Sequence, residues 1–262
     1  MEQDQCVQEF LKLLMENGRE GQAKDLSALL FYMDGMERQY NAVLKELQEV
    51  KQQLTQMNAR PSPAKTALNN LLNRLEARLE ALHEQMNALR DKIVSTAREA
   101  VENFKQFGVS ALDKAVAALH VKPALENIQK GLQKCVSDAS AAVERGERVG
   151  AELRNANRHI KNALYAAIGK KPPSHLGGSG RFQTAVLAPV RGVRNTLSRM
   201  NNNALGAISA VERLEQAAEQ NREARAEKKT SVRAELEAMK KESAARAASA
   251  PEREHKPKEV EL

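Results

Sequence analysis

The chain has 262 residues, 29% of them charged and only 3% aromatic, with no Trp and a formal net charge of +7. Abundant Ala, Leu, Glu, Lys and Arg, with few β-branched or aromatic clusters, excludes a β-rich fold and predicts an all-α protein of elongated antiparallel helical hairpins or coiled coil. Cys6 and Cys135 lie far apart with no CxxC, which argues against a disulfide framework or zinc site, and no apolar run approaches the roughly 18 residues of a membrane span. The acidic start MEQDQC has no signal-peptide pattern, so the expected compartment is the cytoplasm.

The first predicted helix runs over about residues 3–17, with Val7, Phe10, Leu11 and Leu14 on one face and Asn17-Gly18 as the stop. A second runs from about Gln22 to Met57. Its apolar positions from Met33 through Tyr40, Val43, Leu47, Val50 and Leu54 alternate three and four apart, a heptad seam. Arg60-Pro-Ser-Pro63 ends it, because proline cannot continue the hydrogen-bond ladder. The third helix repeats the seam from Leu68 to Phe104, with a kink expected at Gly108 and a weaker continuation through Leu112, Val116 and Leu119. Residues 1–20 thus form a short leading helix, and 21–120 a first hairpin turning near 60–64.

His120-Val-Lys-Pro123 is the next break, with Pro123 suited to a first helical turn. The fourth helix carries Leu125, Ile128, Leu132, Cys135, Ala139, Ala142, Gly146, Val149, Leu153, Ala156, Ile160, Ala163 and Ala167 in unbroken three-four spacing. The fifth shows Val186, Val190, Val193, Leu197, Met200, Ala204, Ala207, Val211, Leu214 and Ala218, and Pro189 should kink it or mark its start. Residues 121–220 are therefore read as a second hairpin turning at 170–183, its Ala-rich seam suited to close approach or to a further partner. Residues 221–262 are a charged helix leading into a disordered tail.

Charge is uneven along this plan. Residues 1–60 hold seven basic against ten acidic side chains, whereas 121–200 hold fourteen against five. From Leu153 to Val211, 59 residues, there is no Asp or Glu, while Arg154, Arg158, Lys161, Lys170, Lys171, Arg181, Arg191, Arg194 and Arg199 all fall in that window. A solvated coiled coil normally mixes both signs to gain i,i+4 pairs, so the exclusion of acids points to an anionic partner. Folding about the 170–183 bend is expected to bring these nine cations to one end. A nucleic-acid backbone is the leading candidate and an anionic membrane surface the alternative. A basic face that is merely solvated, or docks on the acidic first hairpin, explains the pattern equally well.

Within the bend, GKKPPSHLGGSGR invites a phosphate-loop reading, but Arg181-Phe182 stands where a Walker loop needs Lys-Ser/Thr, and no strand precedes it. The glycines read as turn formers. His83 and His159 read as helix-surface residues, and the five histidines show no metal-ligand spacing. Met33, Met36, Met57 and Met86 fall on seam positions, which points to core packing. Asn201-Asn-Asn203 can cap, kink or bond across a seam. No catalytic, cofactor-binding or metal residue is assigned, and no cofactor or small-molecule substrate is expected.

The stretches LLFYMDGMERQYNAVLKELQEVKQQL (29–54) and ALDKAVAALHVKPALENIQKGL (111–132) resemble an uncharacterised family found on integrative and conjugative elements of gut Firmicutes. The resemblance covers the chain to about residue 220. It implies an accessory protein of a mobile element, present during DNA transfer or its regulation, and transfers no functional residues. The expectation is a non-enzymatic scaffold, associating through its heptad seams with a protein partner or with itself.

Overall fold

A computed structural model describes residues 4–56, 63–171 and 182–248. Six helices follow in order: α1 (Gln5–Glu16), α2 (Glu20–Gln56), α3 (Pro63–Phe107), α4 (Val109–Ala118), α5 (Lys122–Ala167) and α6 (Ala188–Ala248), the last preceded by a π-helical turn at Gln183–Leu187. There is no strand among the described residues.

The breaks have local causes. Asp4 caps α1 by accepting the Cys6 N–H at 3.0 Å. Gly18, at φ +71°, ends that helix as the residues read, with the Arg19 N–H reaching the Leu14 carbonyl at 2.8 Å and the Gly18 N–H the Met15 carbonyl at 3.2 Å, a Schellman closure. Gly108, at φ +55°, does more than kink: α3 stops before it and α4 starts after it. His120, at φ +37°, turns the chain into α5, where Pro123 sits in the first turn. Pro189 cannot donate to the carbonyl four residues back. The chain resolves this with the π turn just before it, in which the Ala188 N–H reaches the Gln183 carbonyl.

Cross-helix pairs fix the topology. Lys51 meets Glu76 at 2.6 Å and Arg90 meets Glu37 at 3.6 Å, so α2 and α3 run antiparallel. Arg78 holds Asp138 between α3 and α5. Lys122 meets Glu212 at 2.9 Å and Arg191 meets Glu147 at 2.7 Å, so α5 and α6 form an antiparallel hairpin closed within one chain. Arg213 meets Asp25 at 2.8 Å, and Asn203 donates to Gln39 at 3.0 Å, between α2 and α6. The ring α2–α3–α5–α6 is thus an up-down-up-down bundle, and the two hairpins share one core instead of standing in succession. α1 packs on α3 and α2, and α4 on α3 and α6, at the end where α2 begins.

Seam residues fill that core. Met33, Met36, Tyr40, Val43, Leu47, Val50 and Leu54 of α2 are buried, as are Leu68 through Ala100 of the α3 seam and Val190 through Ala218 of the α6 seam. Met86 joins them, while Met57 lies outside the described residues. A buried Leu contributes about 2 kcal/mol from transfer alone and an Ala much less, so the Ala-rich second seam needs tighter contact. Its small residues supply it. A Cβ on Gly206 would meet the Tyr32 ring at 2.6 Å, one on Gly131 the Leu82 side chain at 2.5 Å, and one on Gly146 the Leu187 side chain at 2.7 Å.

Candidate anion-contact surface

The α5 seam does not stay inside the bundle. Val149 is buried and Leu153 half-buried, but Ala156, Ile160, Ala163 and Ala167 are exposed, Ile160 by 59%. The reason is length. Phe182 packs against Gly150, where an added Cβ would lie 3.2 Å from its ring, so α6 and its π turn meet α5 at that level. The remaining 17 residues of α5 extend roughly 25 Å past it. The sequence expectation of a hairpin paired along its whole seam to Ala167 is therefore corrected: pairing stops near Leu153, and residues 154–167 project with nearly every side chain exposed. Gly169, at φ +68°, closes the projection through Lys170 N–H to Tyr165 C=O at 2.9 Å. That glycine is a helix cap; GGSG and Arg181 lie outside the described residues.

The nine cations divide accordingly. Arg154, Arg158 and Lys161 stand at i, i+4 and i+7 on one edge of the projection, and Lys170 and Lys171 follow at its tip, all exposed. The residues of α6 are elsewhere. Arg191 is held by Glu147 at 2.7 Å, half-buried Arg194 donates to Asn195 at 3.2 Å, and Arg199 lies on the bundle flank, roughly 40 Å along the axis from Lys161. The structure thus groups five of the nine and leaves three spread along the bundle, where α6 also meets acids of α2. Arg213 pairs with Asp25, and Gly192 lies against Glu46.

Other chemistry is internal. Asp113, 3% exposed, accepts from Arg19 at 3.0 and 3.2 Å and pairs with Arg225 at 2.8 Å, tying α4 to the start of α2 and to α6. Composition and spacing do not reveal it, because Asp113 sits beside the apolar face of a short helix and its partners are far away in sequence. His83, expected on the surface, is half-buried and stacks on Tyr40 at 4.2 Å between α2 and α3, its Nδ1 buried without a hydrogen bond. The packing of the two helices accounts for the difference, since His83 follows seam residue Leu82 and faces the α2 ring. Burial, and then Glu80 and Glu76, push the Tyr40 phenol above its usual range. The Cys135 thiol is pushed up to about 12, chiefly by burial, which makes it a packing residue. Asn201 accepts from Gln129 at 3.4 Å, so the asparagine run bonds across both seams of α6. Among the described residues no group of three metal-ligating side chains converges, and no helix is long and apolar enough to cross a membrane.

No curated protein and no solved structure matches the chain. A family model does, over residues 3–260, and by that match the chain belongs to DUF6674, a family of unknown function.

Proposed function

We propose that this DUF6674 member is a non-enzymatic helical scaffold that engages an anionic partner through the projecting end of α5. The observation that carries the reading is the projection itself: residues 153–171 hold five exposed cations and no carboxylate, on a helix that stands clear of the bundle. Within the bundle, opposite charges find one another across the helices. On the projection the cations have only solvent or a partner to meet. The contact geometry gives Arg154, Arg158 and Lys161 more weight than Arg191, which Glu147 already neutralises in part.

Two partners expected from the sequence fit this surface. A nucleic-acid backbone would be bound by counterion release, without sequence reading, in keeping with the mobile-element setting that the resemblance implies. An anionic bilayer would use the exposed Ile160, Leu164 and Ile168 as well. The test is binding of the full chain to duplex DNA, to phosphatidylglycerol vesicles and to poly-glutamate across a salt series. Salt-dependent binding to at least one is expected, lost on Arg154→Glu/Arg158→Glu/Lys161→Glu and largely kept on Arg191→Glu/Arg199→Glu. No binding to any of the three at low salt sinks the reading.

A further inference from the structure

The heptad of α5 is continuous from Leu125 to Ala167, yet the bundle covers it only to about Leu153. Inside the bundle these positions are the ones that meet neighbouring helices. Outside it, the same face runs on through Ala156, Ile160, Ala163 and Ala167, all exposed, and Leu164, 61% exposed, widens the stripe on one side. That is the edge along which Lys161, Arg154 and Arg158 stand, since at about 100° per residue all three fall within a quarter-turn beyond Leu164. A seam of alternating small and large apolar residues is a surface for another helix.

We infer that the projecting end of α5 is a docking strand for an amphipathic helix of a partner protein that carries acidic residues beside its own apolar seam. This rests on the reading of α5 as an anion-contact surface and specifies the partner. Three observations favour it. The seam is continuous with one already packed against helices. The stripe faces the line of the bundle axis beyond the bundle's end, so a helix laid there continues the stack, whereas a flat bilayer meeting that face would collide with the bundle. Finally, the acid-free flank selects the partner's charge: the same segment of a second copy would bring Arg154, Arg158 and Lys161 against their own kind, a repulsion that disfavours self-pairing. A DNA backbone would satisfy the cations and leave Ile160 and Leu164 in water.

The test uses the full chain and two labelled synthetic peptides of identical composition, one with Leu at heptad a and d positions and Glu flanking them, the other with that order scrambled. The heptad peptide is expected to bind roughly tenfold more tightly than the scrambled one, an increment of the size a few buried aliphatic contacts provide. Ile160→Gln/Leu164→Gln, which preserves helix propensity and touches no buried residue, should erase that preference while leaving salt-dependent binding of poly-glutamate unchanged. Equal binding of the two peptides, or a preference that survives the double substitution, overturns the inference and leaves the anion-contact reading standing. Vesicle binding lost on the same double substitution, without any peptide preference, assigns the stripe to lipid and also overturns it. Failure to bind any polyanion at low salt removes both.

Discussion

At the scale of single residues, polar groups in this bundle are either paired across helices or left with a cost. Asp113 belongs to the first kind, held by Arg19 and Arg225. Glu46 belongs to the second. Its Oε2 is buried without a hydrogen bond against the α6 backbone near Gly192, and burial, followed by the Glu49 charge, holds its carboxyl above the usual range. A raised carboxyl pKa means that the folded state resists ionisation more than the unfolded chain does, so the ionised form costs stability above that pKa and the cost fades as pH falls through it. Glu46→Gln should therefore raise the melting temperature at neutral pH, with the gain shrinking toward the acid side of the carboxylate range. Circular dichroism melts at a series of pH values would show it, and a pH-independent difference would refute the assignment. Neither residue's role is legible in the sequence, where both look like ordinary solvated acids on charged helices.

At the scale of elements, the seams are legible and their partners are not. Buried positions in α2, α3 and α6 fall on the three-four spacing that a linear reading marks, because a stripe of apolar groups at helical period must be removed from water somewhere. The same spacing in α5 continues unchanged past Leu153, and nothing in those residues announces that cover ends there. What ends it is the position of Phe182 against Gly150, a contact set by the path of the return segment. Helices gain little stability from propensity alone. Backbone amides of residues 154–167 should accordingly exchange with solvent much faster than those of 125–150, measurable by hydrogen–deuterium exchange mass spectrometry. Equal protection across Val149 would mean that the projection is covered in solution.

At the scale of the whole molecule, charge and packing combine the two hairpins. The acidic first hairpin and basic second one meet through Arg213 with Asp25 and Arg78 with Asp138, alongside the close α2–α6 approach at Gly206 and Tyr32. The Arg19–Asp113–Arg225 cluster closes the end opposite the α5 projection, joining α4, the entry to α2 and the outer part of α6. Removing the carboxylate leaves two arginines facing each other with no counter-charge. Asp113→Ala should cost about 3 kcal/mol, the scale for breaking a buried pair from one side, read from urea unfolding midpoints; a change within a few tenths of that unit would mean that solvent already screens the pair.

By itself the sequence determined the helical class, the positions of the breaks at Gly18, Gly108 and Pro123, and the seam residues, since each follows from backbone chemistry or apolar period along a local stretch. It also determined that a basic, acid-free window exists. Only the tertiary structure decided which cations of that window stand together. Three of them lie along a bundle flank, Arg191 among them already paired with Glu147, while five ride on a helix that outruns its partners. That distinction depends on where helices end relative to one another in space, and no spacing within a single helix encodes it.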